Sequence, residues 1–278
     1  MSLPLRYNVI QSLGKGASGD VVLAVDRLQG NTLVAIKQLR SRVDRRTSDL
    51  IAEEFLTLSR LAHPNIARVR DFGRADDGST FFTADYVSGG NLLEWAERHE
   101  ASERWTMLIQ LSGQALAALS YLTLRGVAHG DIKPANLLVE DAHGDDQLDT
   151  LRMIDFGTSR WTASKQIEEA TGTPAYQPDP ATLDEHGSTC AELYALGMSI
   201  YHAAAGRLPY AVGEANALES WRCARQPALL RVHAPEAPSV LNDLVERLTS
   251  FDQSQRFSSA ADALAFLRDR VGLVPTRP

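Results

Sequence analysis

In this 278-residue chain the β-forming and helix-forming stretches are segregated, and that segregation limits the folds open to it more than any other feature. Val21-Val22-Leu23-Ala24-Val25 and Thr32-Leu33-Val34-Ala35-Ile36 are β-rich runs, and Gln29-Gly30-Asn31 between them predicts a hairpin. Asp76-Asp77-Gly78 predicts a second turn ahead of Phe81-Phe82-Thr83-Ala84. One helix is expected between these strands, because Thr47, Ser48 and Asp49 offer capping side chains and Ile51, Phe55, Leu58 and Leu61 share a face. From Asn91 onward the period becomes helical. Leu108, Leu111, Ala115, Leu119 and Leu122 recur at steps of three and four, and Gly126 stands where a helix would be capped. Residues 193–205 are apolar on nearly every side, the pattern of a helix buried all round, which Gly206 and Pro209 should end. Val240, Leu241, Leu244, Val245 and Leu248 form another stripe, and residues 260–267 a last helix. Strands first and helices later predict an α+β fold in two parts, a small β-rich one (residues 1–87) and a larger helical one (residues 88–278). The join is expected near Tyr86-Val87-Ser88-Gly89-Gly90.

Composition narrows the partners. A hydrophobic share of 44% supports real cores, while a net charge of −7 and a pI near 5.5 argue against a nucleic-acid surface. The basic run at 40–46 is short and precedes a helix. Two cysteines, Cys190 and Cys223, make no disulfide framework, so a reducing, cytoplasmic setting is expected. The start Met1-Ser2-Leu3-Pro4 does not read as a signal peptide, and no stretch approaches 18 consecutive apolar residues, so no membrane span is expected.

The residues that carry chemistry fall in four strings. Gly14-Lys15-Gly16-Ala17-Ser18-Gly19 lies between strand-like segments, with Val21-Val22-Leu23 following. A dinucleotide fingerprint needs a helix after its glycines, so this spacing suits a hairpin that lets backbone approach phosphates without Cβ interference. A plain glycine-rich turn is the competing reading. Lys37 closes the apolar run Val34-Ala35-Ile36, where the bland alternative is a lysine on an edge strand. His129-Gly130-Asp131-Ile132-Lys133-Pro134-Ala135-Asn136 and then Ile154-Asp155-Phe156-Gly157 supply an acid that can orient a hydroxyl, a lysine, and two oxygen donors for metal ions. No ordinary core or turn requires that combination.

Taken together and in this order, the strings resemble the protein kinase family, from about residue 7 to about residue 270. The resemblance is to eukaryotic-like serine/threonine kinase catalytic domains, with bacterial ones the nearest expected relatives. It implies a two-lobed fold, ATP and Mg²⁺ as cofactors (Mn²⁺ as the alternative ion), and a protein substrate. In that reading Asp131 accepts the substrate hydroxyl, Lys133 neutralises the transferring group, and Asn136 and Asp155 hold the metal. Lys37 meets the α- and β-phosphates and pairs with Glu54, which lies on the face of Ile51, Phe55, Leu58 and Leu61, where Glu53 does not. The resemblance lines the adenine slot with Leu13, Val21, Ala35 and Leu138 and makes Asp85-Tyr86-Val87 the hinge. Ala84 takes the position before the hinge, usually held by a bulkier side chain, which predicts an enlarged pocket. His129 and Phe156 are assigned to packing. Lys133-Pro134-x-Asn136 and Gly172-Thr173-Pro174 match the serine/threonine rather than the tyrosine class, with Thr173 expected against the catalytic loop.

Three departures stand out. Gly130 replaces an arginine that commonly pairs with a phosphorylated activation segment, so little dependence on phosphorylation at Thr162, Ser164 or Thr171 is expected. Gln177-Pro178-Asp179-Pro180 replaces Ala-Pro-Glu, whose glutamate normally pairs with an arginine that matches Arg256, so either Asp179 substitutes for it or Arg256 finds another partner. Glu192 replaces an aspartate that anchors the buried helix to the catalytic loop. The acidic stretch at 141–146 lacks the distal glutamate of a Ca²⁺ loop and reads as a solvated hairpin loop. Two rivals remain: a small-molecule phosphotransferase of the aminoglycoside type, which shares His-Gly-Asp and Ile-Asp-Phe-Gly, and an ATP-binding pseudokinase scaffold. The chain stops soon after its last predicted helix, as an excised catalytic domain would, so a regulatory domain or partner outside it is expected.

Overall fold

The computed structural model describes residues 3–16, 19–39, 55–142, 148–155, 173–178, 187–210 and 227–272. They fall into two compact units that part between Ser88 and Gly89.

The first unit is built on one antiparallel sheet of β1 (Tyr7–Gly16), β2 (Gly19–Asp26), β3 (Thr32–Leu39), β4 (Val69–Arg74) and β5 (Thr80–Asp85), in the order β1-β2-β3-β5-β4. The β2–β3 hairpin turns where the sequence marks it, with Gly30 at φ 66° and Asn31 at φ 60°. Two successive left-handed residues match the twist of the flanking strands. Gly78, at φ 82°, closes the β4–β5 turn, helped by an Ala75 N–H bond to Ser79 O of 2.8 Å. β1 and β4 are strands that the hydrophobic pattern does not mark. β1 is an edge strand interrupted by irregularities between Val9 and Gln11 and between Ser12 and Gly14. In β4, Gly73 sits under the Phe81 ring, which a Cβ would meet at 2.8 Å. Alternation gives the sheet two unlike faces. One buries Val22, Ala24, Val34, Ile36 and Phe81 with Tyr7 and Ala75, and the other carries Val21, Ala35, Lys37 and Ala84 in register. Of the expected helix, residues 55–58 are described and helical, with Leu58 and Leu61 buried; Ile51 and the capping residues lie outside the described residues.

The second unit starts with β6 (Gly90–Asn91) and α1 (Leu92–Arg98), whose N-terminus is a capping box between Asn91 and Glu94. α2 (Ala101–Leu124) is its central helix. Composition and length alone would let Glu103–Leu124 cross a bilayer. Yet Leu108, Leu111, Ala115, Leu116, Leu119 and Leu122 are buried, so the apolar surface already has protein partners. Gly126, at φ 66°, follows its end as the sequence predicts. A short 3₁₀ turn (Pro134–Asn136) leads to β7 (Leu137–Glu140), which pairs with β6 on one side and β8 (Thr150–Met153) on the other. α3 (Gly187–Ala205) is buried along nearly its whole described length, as predicted. Then come α4 (Leu230–His233), α5 (Ser239–Leu248) and α6 (Ala260–Val271). α2 packs against α6, β8 and α3, and α3 against α5. At the α3–α5 crossing a Cβ on Gly197 would come within 2.6 Å of Leu248 Cβ, so glycine sets how closely these helices approach.

Candidate active site

In the sheet unit, the glycine string is the end of the β1–β2 hairpin, with Gly14 opposite Val21, Lys15 opposite Asp20 and Gly16 opposite Gly19. Ala17 and Ser18 lie outside the described residues. The glycines have different reasons to be there. A Cβ on Gly19 would stand 2.4 Å from Gln38 O, so β3 itself requires glycine at that point. A Cβ on Gly14 would meet nothing within 4 Å, which leaves that stretch of backbone open to a ligand. Leu13 falls in the second irregularity of β1 and is 41% exposed. Bulges of this kind re-aim side chains. Val21 and Ala35 lie on the same sheet face as Lys37, which pairs with Val21 and Phe82. Lys37 is only 6% exposed, its ammonium 5.9 Å from the Phe82 ring centroid. A surface lysine on an edge strand would not be so placed: β3 is an inner strand and its lysine is buried. Glu54 lies outside the described residues. Asp85 ends β5, where its N–H bonds Arg68 O at 2.9 Å and its carboxylate accepts from Arg70. Val87 is buried.

The helical unit brings together Asp131, Lys133, Asn136 and Thr173. Asp131 Oδ1 accepts from the Thr173 N–H and from Thr173 Oγ1, each at 2.9 Å. Asp131 Oδ2 accepts from Lys133 Nζ at 2.6 Å and from Asn136 Nδ2 at 3.3 Å. Lys133 Nζ also donates to Thr173 Oγ1 at 2.8 Å, closing a ring of three side chains. Burial pushes the Asp131 carboxyl up, but the Lys133 ammonium and the Thr173 donors outweigh it and hold the group below the usual carboxylate range. Asp131 is thus ionised and fixed in direction. Asn136 Nδ2 donates to Asp131 O at 2.8 Å, which orients the amide and leaves its oxygen for other work.

The loop ahead of Asp131 is held from α3. Glu192 Oε1 accepts from the backbone N–H groups of His129 and Gly130, the latter at 2.9 Å. Gly130 sits at φ 84°, where a side chain would be strained, so the residue is suited to its backbone whatever arginine would have done there. His129 is fully buried, and burial pushes its imidazole down to about 4, so it is neutral near pH 7. Its Nδ1 accepts from the Asp131 N–H at 3.3 Å, a positioning contact beyond the packing expected of it.

Asn136 and Asp155 are joined through the backbone: Ile154 N–H bonds Asn136 O at 3.0 Å, just beyond the Leu137–Met153 pair of the β7–β8 ladder. Asp155 adopts φ 64°, a left-handed conformation uncommon outside glycine and one often found at functional sites. Among the described residues no three His, Cys, Asp or Glu side chains gather into a metal cluster. An amide oxygen and one carboxylate are the donor set of a hard cation that takes its remaining ligands from water and phosphate. Leu138 is half-buried on β7 opposite Asn91.

One set of contacts has no counterpart in the sequence reading. Tyr210 OH donates to Ala175 O, and Tyr176 OH meets His202 Nδ1 at 2.8 Å with the rings stacked, so α3 and the residues after it grip the segment following Thr173. The only signal was Gly206-Arg207-Leu208-Pro209-Tyr210, a recognisable string whose tyrosine had no stated partner. Arg256 is buried and bonds Ser250 O through Nε at 2.7 Å. Its expected partner Asp179, together with Phe156, Thr162, Ser164 and Thr171, lies outside the described residues, as do residues 143–147 of the acidic loop.

Comparison with known proteins bears on the family and the fold. A family model described as the protein kinase domain matches residues 7–266. Serine/threonine-protein kinase pkn3 of Myxococcus xanthus is 29% identical over 93% of this chain and 49% of its own length. Probable serine/threonine-protein kinase PknB of Lactococcus lactis is 24% identical over 93% of this chain and 41% of its own. The chain spans about half the length of these curated relatives. The crystal structure of the Mycobacterium tuberculosis PknI kinase domain has the same fold, with a TM-score of 0.67, 23% identity and 96% of each chain covered.

Proposed function

Since this chain belongs to the protein kinase family, we propose that it transfers the γ-phosphoryl group of ATP to serine and threonine hydroxyls of protein substrates. The observation that carries this reading is the ring of Asp131, Lys133 and Thr173, in which one ionised carboxylate accepts from Lys133 Nζ and from the N–H and Oγ1 of Thr173. Phosphoryl transfer needs little covalent chemistry from the protein, and positioning alone contributes roughly 7–11 kcal/mol. Asp131 accepts a hydrogen bond from the substrate hydroxyl and takes its proton late, as suits a carboxylate held below its usual range. Lys133, already fixed by Asp131 and Thr173, presents positive charge beside the transferring group. Lys37 serves the α- and β-phosphates with the glycine hairpin over them, and Glu54 is its partner. Leu13, Val21, Ala35 and Leu138 enclose the adenine, and Asp85 to Val87 pair with its edge. Asn136 and Asp155 hold Mg²⁺, and their oxygen donors fit that ion. When bound, Mg²⁺ neutralises charge on the phosphates. Residues 1–87 and 88–278 act as the two lobes of this one kinase domain. The two cysteines, which make no disulfide framework, favour a reducing, cytoplasmic setting for the reaction. With Gly130 in place of arginine, activity does not depend strongly on phosphorylation of the activation segment.

Incubation with Mg·ATP and a generic basic protein tests the reading. Phosphoserine or phosphothreonine that forms with wild type and is abolished by Asp131→Asn supports it. Transfer only to a small alcohol, or nucleotide binding without transfer, refutes it.

A further inference from the structure

The turn that follows Thr173 is fastened to α3 by two side chains outside the Asp131 ring. Tyr176 is buried and closes the 3₁₀ turn Pro174–Tyr176, and its hydroxyl meets His202 Nδ1 on α3 at 2.8 Å. The rings are inclined by only 24°, with centroids 6.2 Å apart. Burial pushes the Tyr176 phenol up to about 12 and the His202 imidazole below its usual 6.5, with Glu97 of α1 opposing the second shift. Near pH 7 the phenol therefore keeps its proton and the imidazole is neutral, so the O–H donates and Nδ1 accepts.

That bond lies one step from the acid. Tyr176 N–H bonds Thr173 O at 3.0 Å, and Thr173 gives both its N–H and its Oγ1 to Asp131 Oδ1. The Tyr210 hydroxyl donates to Ala175 O, so the turn is fastened at two successive residues. The same helix also holds the other side of the acid, because Glu192, nearer the start of α3, accepts from the N–H groups of His129 and Gly130. α3 packs against both 3₁₀ turns, Pro134–Asn136 and Pro174–Tyr176. A buried tyrosine needs a hydrogen-bond partner wherever it lies. Here the partner stands on the helix that carries Glu192, so the bond sets the turn in place relative to the catalytic loop as well as satisfying a donor.

We propose that Tyr176 and His202 are positioning residues for phosphoryl transfer, which fix Thr173 from α3 and, through Thr173, the direction of the Asp131 carboxylate. The proposal rests on the catalytic reading above and adds to it the device that aims the acid. Breaking the bond frees the turn to shift and leaves the glycine hairpin and Lys37, in the sheet unit, as they were. The cost therefore falls on kcat and not on the KM for ATP.

Steady-state kinetics of the full chain with Mg·ATP and the generic basic protein test this. Tyr176→Phe keeps the ring and loses the hydroxyl, while His202→Leu loses the acceptor. Each should lower kcat about tenfold, the upper end for a neutral hydrogen bond, with the KM for ATP unchanged. The double variant should be no slower than either single one, because the two residues share one bond. His202→Asn, whose Oδ1 comes near the place of Nδ1, should regain most of the rate that His202→Leu loses. An unchanged kcat in Tyr176→Phe overturns the proposal, as do losses that multiply in the double variant, or His202→Asn as slow as His202→Leu. If His202→Leu fails to fold, the kcat of Tyr176→Phe decides. Wild type that transfers no phosphoryl group refutes the catalytic reading and this proposal with it, whereas equal transfer by wild type and Tyr176→Phe refutes this proposal alone.

Discussion

Glu192 on α3 and His129 on the loop that it holds are shifted in opposite senses, and replacing Glu192 by Gln exposes that opposition. Burial pushes the Glu192 carboxyl up from 4.5 to about 7, against the pull of the Gly130 and His129 N–H donors. At roughly 1.4 kcal/mol per tenfold change in proton affinity, ionising it costs about 3 kcal/mol more in the folded chain than in the unfolded one. Between about pH 4.5 and 7 the folded chain keeps a proton that the unfolded chain has lost, so rising pH removes stability across that window. His129 is pushed down from 6.5 to about 4 by burial. Between those values the unfolded chain holds the proton, so rising pH adds stability, again on the order of 3 kcal/mol. In wild type the two slopes oppose each other from about pH 4.5 to 6.5. Glu192→Gln keeps an oxygen where Oε1 accepts and cannot titrate. Urea unfolding read by tryptophan fluorescence and far-UV circular dichroism should show the variant gaining on wild type by about 2 kcal/mol from pH 5 to 7.5. A stability difference that stays constant with pH would refute the burial argument for Glu192.

Thr173→Val removes Oγ1 from the Asp131–Lys133 ring while keeping the backbone donor, and steady-state kinetics should show kcat lowered about 10- to 100-fold, with Thr173→Ser close to wild type. An unchanged kcat in the valine variant would remove Thr173 from the site. Gly89→Ala would put a Cβ 1.6 Å from Val139 O, so thermal melting by circular dichroism should show a loss of at least about 3 kcal/mol, whereas Gly14→Ala, with open space around it, should stay within about 0.5 kcal/mol. Ala84, half-buried and paired with Ala35 across β3 and β5, should admit bulky adenine-site inhibitors that Ala84→Met excludes, measured as a loss of inhibition at equal ATP. Phosphatase treatment of the purified chain should leave turnover unchanged, and a large drop would count against the reading of Gly130.

Much of this protein can be read locally. The two-part α+β order follows from where period 2 gives way to period 3.6, and glycine-marked turns at Gly30, Gly78 and Gly126 occur where the sequence sets them. β1 and β4 are not legible in this way, because an irregular edge strand and a strand closed around Gly73 lack clean alternation and take their form from the pairing partner. The residue types of the candidate site are likewise written in short strings, since the chemistry demands particular side chains at close spacing. What they do to one another is not. Thr173 reaches Asp131 across 42 positions, and Glu192 reaches Gly130 across 62, so no local pattern encodes either contact. The same holds for the neutrality of His129 and for Gly19, which β3 requires at 2.4 Å whether or not a phosphate lies beside it. Sequence determines periodicity, turn chemistry and which reactive groups are on hand. Burial and long-range contacts, which exist only after the chain has packed, decide which of those groups are charged, aimed or held.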